Sequence, residues 1–314
     1  MLTRRHIRVK VMQTIFAMHQ KHSDDILKEE KFLYNSIEIM QDLYLVLLSI
    51  LIEIQANEVQ LIQKRSKKHL ATPEDKNPNK KFVNNLVLDF LANNKSIKNA
   101  LEDRKIVNWT ENNDIVLLLL DEVKKSAFYE KYMNNQENSF EEDLRFIDTI
   151  FGDIIAPNEK LFDYLEESKL TWVDDIPLVN TLILKQLSAI NLENKNSFIV
   201  PNIFKDEDDK EFVSLLFRKT VLNETEFENH YADKSKSWDI TRFAKIDSVI
   251  LNMAVCEMLK FPSIPVRVTI NEYVELAKEY STPNSSNFIN GILDVVSKEL
   301  AKKGLLNKIG RGLV

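Results

Sequence analysis

The sequence predicts an all-α protein, on three observations. Only five glycines and eight prolines punctuate 314 residues, so the many tight turns of a β-rich fold lack the residues that make them. Apolar side chains recur three and four positions apart over long stretches, which is the period of an amphipathic helix. The breaks between those stretches carry helix-stopping prolines and helix-starting Ser, Thr, Asn and Asp.

The first helix opens with Thr3-Arg4-Arg5-His6-Ile7-Arg8-Val9-Lys10, and Ile7, Val11, Ile15 and Met18 share one face. Arg4 and Arg8, four apart, are expected together on the surface, with Arg5 beside them and Lys10 as a fourth cation. Forked guanidinium donors match phosphate oxygens, and neutralising phosphates releases counterions. A solvated charged face without a partner is the competing account. Residues 29–68 form one long helical pattern ending in Lys64-Arg65-Ser66-Lys67-Lys68, and a loop through Pro73 and Pro78 leads to Lys80-Lys81. The plain account of this second basic region is a solvated helix end, where cations sit favourably. Helical patterns resume at residues 82–93, 96–103 and 113–132, and the run Val116–Leu120 inside the last is expected to be buried.

An internal similarity follows. The stretch from Phe146-Ile147 to Trp172 lines up with that from Phe212-Val213 to Trp238 at a constant offset: Phe151 meets Phe217, Ile155 meets Val221, and Leu161 meets Phe227. Two accounts stand: a duplicated helical unit, or two amphipathic pairs alike by chance. Residues 191–209, with Pro201 and the acidic run 206–209, are the expected domain boundary.

Residues 238–300 read as three helices. Asp239 is the expected cap of the first, and Trp238 the expected staple against Phe243. Ile246, Ile250, Met253 and Ala254 continue its apolar face, and Pro262 and Pro265 stop it. Thr269 and Glu272 are spaced as a capping box for the second helix. Ser285 is the expected cap of the third, along which Phe288, Ile292, Val295 and Val296 face inward. Asn290-Gly291 alone would signal a hairpin, but the helical period runs through it to Leu300.

Composition excludes several classes. A net charge of −6 rules out a uniformly basic binder but not a local basic patch. The single cysteine, Cys256, forms no internal disulfide and fits a reducing cytoplasm; its position suggests a core thiol. No signal peptide is visible, and the apolar run Leu43–Ile52 spans ten residues, half of what a membrane helix needs. No Gly-rich phosphate loop or dinucleotide fingerprint occurs. His19 and His22 share a helix face, yet no Cys or nearby carboxylate pair completes a metal set. No catalytic residue, metal site or cofactor is assigned.

Three blocks carry a family resemblance: Phe243-Ala244-Lys245-Ile246-Asp247-Ser248-Val249-Ile250-Leu251, Val268-Thr269-Ile270-Asn271-Glu272-Tyr273-Val274-Glu275-Leu276-Ala277-Lys278, and Ser286-Asn287-Phe288-Ile289-Asn290-Gly291-Ile292-Leu293-Asp294. In this order and at these gaps they resemble the RNA-binding transcription antitermination factors of the NusB family, and the arginine-rich N-terminus is similar to theirs. The resemblance implies a NusB-like helical bundle, residues 1–23 plus 207–314, carrying a helical insertion at 24–206. It implies a non-catalytic protein that binds boxA-like single-stranded RNA of ribosomal RNA operons with a NusE-like ribosomal protein, within the transcription elongation complex. The RNA surface would join Arg4, Arg5, Arg8 and Lys10 to Ser285, Ser286 and Asn287 at a helix start, where hydroxyls, an amide and free N–H groups meet. Phe288 either stacks on a base or belongs to the core, which its helical phase favours. The ribosomal-protein face would lie on the helix containing Asp247; Glu257 either joins it or makes a structural hydrogen bond. Ser248 and Asn252 stand where the family often carries Arg. Two rivals remain: a helical scaffold that binds only protein, and an accessory domain of an RNA methyltransferase, which the near absence of glycine and of alternating strands in the insertion disfavours.

Overall fold

The computed structural model describes residues 2–191, 198–235 and 245–313. In chain order the helices are α1 (Arg4–Lys21), α2 (Ile26–Ser66), α3 (Pro73–Lys76), α4 (Leu86–Asn93), α5 (Lys95–Asp103), α6 (Asn108–Glu111), α7 (Asn113–Lys125), α8 (Ala127–Asn134), α9 (Phe140–Ile150), α10 (Glu159–Ser168), α11 (Ile176–Ser188), α12 (Glu207–Leu222), α13 (Glu224–Glu228), α14 (Ala232–Ser235), α15 (Lys245–Lys260), α16 (Val266–Tyr280) and α17 (Ser285–Lys302). A π-helical turn, Phe151–Ile155, follows α9, and 3-10 turns occupy Leu170–Asp175 and Gly310–Leu313. No strand occurs among the described residues, so the protein is all-α. The chain divides into two compact units, Met1–Ile37 with Ile203–Val314, and Glu38–Asn202.

The first unit is built around α15. Every residue from Val249 to Cys256 is buried, which is the signature of a helix covered on all sides. Its neighbours are α1, α12, α13, α16 and α17. Ile7, Val11, Met12 and Ile15 of α1 are fully buried, and Leu2 N–H donates to Ile203 O at 2.9 Å, which fixes the start of the chain. Burial pushes the Cys256 thiol up to about 12, so it is a core group. The C-terminal segment returns to the end of α15: Ile309 N–H donates to Pro262 O at 3.0 Å, and Lys308 Nζ to Phe261 O at 3.0 Å, the favoured place for a cation. Gly312 is required there, since a Cβ would stand 2.0 Å from Pro262 O.

The second unit has its core along α2, where Leu43 to Leu51 are buried on every side. No helix of the described residues is long and apolar enough to cross a membrane. Trp109 Nε1 donates to Val46 O at 3.0 Å and Trp172 Nε1 to Ile39 O at 2.9 Å. Asn85, Asn94, Ser126, Ser139 and Asn158 each cap the following helix with a side-chain oxygen. The repeated residues behave alike in part. Phe151 and Phe217 are fully buried, as are Leu161 and Phe227 to within 2%. The second members differ in length, since α13 has five residues and α10 has ten.

Several local expectations need correction. Residues 113–132 are two helices, because Ser126 adopts φ −73°, ψ 147° and caps α8 by accepting from Tyr129 N–H. Leu117 is 38% exposed; five consecutive helical residues cannot all face one core. Val295 is exposed for the same reason, one position before buried Val296. Helix α16 starts a turn before Thr269, after Pro265, so Thr269 and Glu272 form no capping box. Ser285 is the first residue of α17, after Asn284, and makes no cap bond. The expected cap at Asp239 and the Trp238–Phe243 staple lie outside the described residues.

An ion pair in the first unit depends on a histidine. His19 Nε2 lies 2.9 Å from Glu224 Oε1, and the Glu224 carboxylate raises the imidazole pKa above its ordinary value. A raised folded pKa adds stability that is complete below the unfolded value of about 6.5 and is lost as pH rises through the folded value. Melting temperatures of the wild type and His19→Gln should therefore differ below about pH 6 and converge above the folded pKa; equal separation at all pH values would refute the contact.

Candidate nucleic-acid interface

The predicted cations do not share one fate. Arg8 is 3% exposed. Its Nε donates to Glu257 Oε2 at 2.7 Å and its NH2 group to Oε1 at 2.9 Å, the forked geometry of a strong guanidinium–carboxylate pair. Thr269 Oγ1 donates to Glu257 Oε1 at 2.8 Å and Tyr273 OH to Oε2 at 3.3 Å. The Arg8 guanidinium also lies 5.4 Å from the Phe212 ring centre and 5.8 Å from that of Tyr273. Burial alone would lower the Arg8 pKa, but the Glu257 carboxylate outweighs it and raises it above the ordinary value. Burial, then the Glu257 charge, pushes the Tyr273 phenol well up, so it remains a donor. The expectation that Arg4 and Arg8 lie together on the surface is thus corrected. Arg8 shares its face with Val11, Met12 and Ile15, all fully buried, and needs a buried counter-charge.

Arg4 and Arg5 remain open to solvent, with side chains 39% and 46% exposed. Each is held by one carboxylate. Arg4 Nε donates to Asp209 Oδ1 at 2.9 Å at the start of α12, and its guanidinium lies 5.0 Å from the Phe212 ring centre. Arg5 donates from Nε and NH2 to the two oxygens of Glu272, both at 2.9 Å. The hydrogen bond from Arg5 holds the Glu272 carboxyl below the usual range. Burial, then the Arg5 charge, lowers the His6 pKa below its ordinary value. Lys10 is 4% exposed and is engaged within the fold; it is corrected from surface cation to buried group.

The other half of the expected surface lies elsewhere. Ser285, Ser286 and Phe288 are buried, and Asn287 is exposed. Ser281 and Ser285 donate to Asp247 Oδ1 and Oδ2 at 2.6 and 2.9 Å. With the Ser285 proton committed there, Thr282 Oγ1 donates to Ser285 Oγ at 2.7 Å. Ser285 is therefore a structural bond to a carboxylate, not a donor to a ligand, and Phe288 is core. Asp247 and Glu257 are 1% and 0% exposed, so neither faces a partner; both are satisfied inside the fold. These two carboxylates stand ten residues apart on α15, about 15 Å of helical rise. The arginines gather at the Glu257 end and the α17 start at the Asp247 end, so no single strip joins them. Asn252 is buried and accepts from Tyr231 OH at 2.8 Å, while Ser248 bonds the Lys245 carbonyl of its own helix.

Asp209 and Glu272 were missed from the sequence as partners of the arginines. Glu272 carries the spacing of a capping box, and Asp209 sits in an acidic run that reads as a linker. The readable signal was at Arg8, whose positions three, four and seven residues on are all apolar.

The model of the NusB family matches residues 178–298. The transcription antitermination protein NusB of Salinibacter ruber is 40% identical over 110 residues, covering 35% of this chain and 69% of that protein. This chain belongs to the NusB family. The protein of the same name from Chloroherpeton thalassium is 39% identical over 117 residues, 37% of this chain and 56% of the relative. That of Natranaerobius thermophilus is 41% identical over 92 residues, 29% of this chain and 66% of the relative. This NusB-family chain thus spans between 56% and 69% of the lengths of these three relatives. No solved structure matches it. The matched range begins in α11, before the first unit resumes at Ile203.

The two classes of arginine should separate in stability measurements. Arg8→Ala leaves Glu257 buried without its counter-ion and should cost about 3–5 kcal/mol. Arg5→Ala breaks an exposed pair and should cost under about 1 kcal/mol. Urea unfolding of both variants checks this, and equal losses would contradict the assignment.

Proposed function

We propose that this NusB-family protein is a non-catalytic transcription antitermination factor. It binds boxA-like single-stranded RNA of ribosomal RNA operons together with a NusE-like ribosomal protein, as part of the transcription elongation complex. The observation that carries the reading is the 40% identity over 69% of a relative named as a transcription antitermination protein. In this reading residues 1–23 and 207–314 are the family domain and 24–206 are an insertion. The division of the chain at Ile37 and Ile203 supports that partition.

The RNA contact is assigned to Arg4 and Arg5 at the start of α1. Arg4 spends only Nε on Asp209, and Arg5 spends one side of its fork on Glu272. Each keeps donors for a phosphate, and both are exposed. Arg8 contributes by seating α1 against α15 and α16. The ribosomal-protein face is assigned to the surface of the α15–α17 bundle without using Asp247 or Glu257, which are buried. A second reading, a scaffold that binds only protein, is favoured by the burial of Arg8 and Lys10 and by the pairing of both exposed arginines.

Anisotropy titration with boxA RNA, with and without the ribosomal protein, separates the two readings. Combined Arg4→Ala and Arg5→Ala should weaken RNA binding and flatten its salt dependence, by about 0.7 in log–log slope for every phosphate that is no longer neutralised. Unchanged affinity and slope would remove these arginines from the interface, and wild-type protein without affinity for RNA would favour the scaffold.

A further inference from the structure

We propose that the segment from Lys64 to Lys80, in the second unit, is a second RNA-contacting surface that grips single-stranded phosphate backbone irrespective of sequence. The inference rests on the RNA-binding reading above and gives the inserted unit a task within it. Six cations, Lys64, Arg65, Lys67, Lys68, Lys76 and Lys80, stand in seventeen residues against Glu74 and Asp75. That is a local net charge of +4 in a chain whose total is −6.

The pairing pattern separates this segment from the N-terminal arginines. Arg4 and Arg5 each have a carboxylate at 2.9 Å. Lys64, Lys67, Lys68, Lys76 and Lys80 are all exposed and make no ion pair among the described residues. Arg65 alone approaches a carboxylate, Glu58 at 3.9 Å, and Lys124 holds that same carboxylate at 2.6 Å. Asp75 is committed to the cap of α3, where it exchanges hydrogen bonds with Thr72.

Helix electrostatics account for only part of the cluster. Lys64 and Arg65 occupy the last turn of α2, where cations offset the carbonyl dipoles, but that effect fades within one turn. Lys76 ends the short α3, and Lys67, Lys68 and Lys80 lie beyond either helix end. Two successive turns follow α2, with Lys68 N–H on Arg65 O and Ala71 N–H on Lys68 O, both at 3.1 Å, which keep Lys64, Lys67 and Lys68 within a few residues of one another without an ion pair among the described residues. The tip carries His69 and Leu70, both exposed, Leu70 by 88%. An imidazole ring among cations is the pairing that single-stranded RNA recognises: charge for phosphates and a flat face for a base.

The test uses the full chain and two RNAs: a short boxA-like RNA, and the same element with unstructured flanks. The exposed lysines are changed together, Lys64, Lys67, Lys68, Lys76 and Lys80 each to Gln, with a second variant carrying Arg at all five. Circular dichroism and melting confirm folding, which substitution of exposed lysines leaves intact. The flanked RNA should bind the wild type more tightly than the short one. The Gln variant should lose that advantage, by about tenfold at low salt, and its log–log salt slope should fall by about 0.7 for each phosphate left without a cation; the Arg variant should retain both. A Gln variant with wild-type affinity and slope for the flanked RNA overturns the proposal. Loss in the Gln variant with no effect of Arg4→Ala and Arg5→Ala overturns the N-terminal assignment and sustains this one. A wild type that binds neither RNA overturns both.

Discussion

The first unit depends on one buried carboxylate. Glu257 is fully inaccessible and accepts from Arg8 on α1 and from Thr269 and Tyr273 on α16, while its own backbone belongs to α15. A buried carboxylate without such partners would cost several kcal/mol. The geometry is therefore coupled: α1 cannot leave, and α16 cannot rotate, without stranding a charge. Hydrophobic burial supplies the attraction between these helices, since Ile7, Val11, Met12 and Ile15 are all buried, but burial is not directional. The ion pair sets which rotation about α1 and which axial position are allowed.

The other end of α15 repeats the device with neutral donors. Asp247 is buried and takes hydroxyl bonds from Ser281 and Ser285, at the turn joining α16 to α17. One helix thus fixes its neighbours at both ends by a carboxylate, and the buried side chains between are apolar except Asn252, which Tyr231 satisfies. The consequence for function is that acids and hydroxyls which look like contact residues in the sequence are used up internally. What remains for a partner at the start of α1 is two arginines, each already half-neutralised. In the proposed function an incoming phosphate would compete with Asp209 or Glu272 there, so the contact would position an anion more than attract one.

Much of the architecture was legible in the residues. Helices dominate, the proline pair at 262 and 265 ends α15, the Asn290-Gly291 step continues a helix, and the three sequence blocks identify the family. The site was less legible, for a definable reason. Helical periodicity assigns a face to a residue but not the depth of that face, so Arg4 and Arg8 read as equals although one lies near the helix end and the other one turn deeper, among Val11, Met12 and Ile15. The Thr269 spacing misled similarly: Tyr273 and Leu276, four and seven residues on, are both fully buried. That places the hydroxyl on the inner stripe, where it serves Glu257. Pairings across hundreds of residues, such as Arg5 with Glu272, leave no local pattern at all.

Charge allocation then argues for a division of labour. With a net charge of −6, the mean field of the protein opposes an approaching polyanion. Screening over about 8 Å at physiological salt confines that field, so local clusters decide where an anion is drawn in. At the start of α1 the guanidiniums are matched by carboxylates, and the local field is weak. Between Lys64 and Lys80 the ammonium groups have no ion-pair partner among the described residues, so less of their charge is offset locally. Directional, forked donors suit placement of a particular phosphate, whereas mobile point charges suit capture of any. Under the proposed function, finding an RNA and then holding it in register would call on both kinds of cation, and this chain keeps them in different segments.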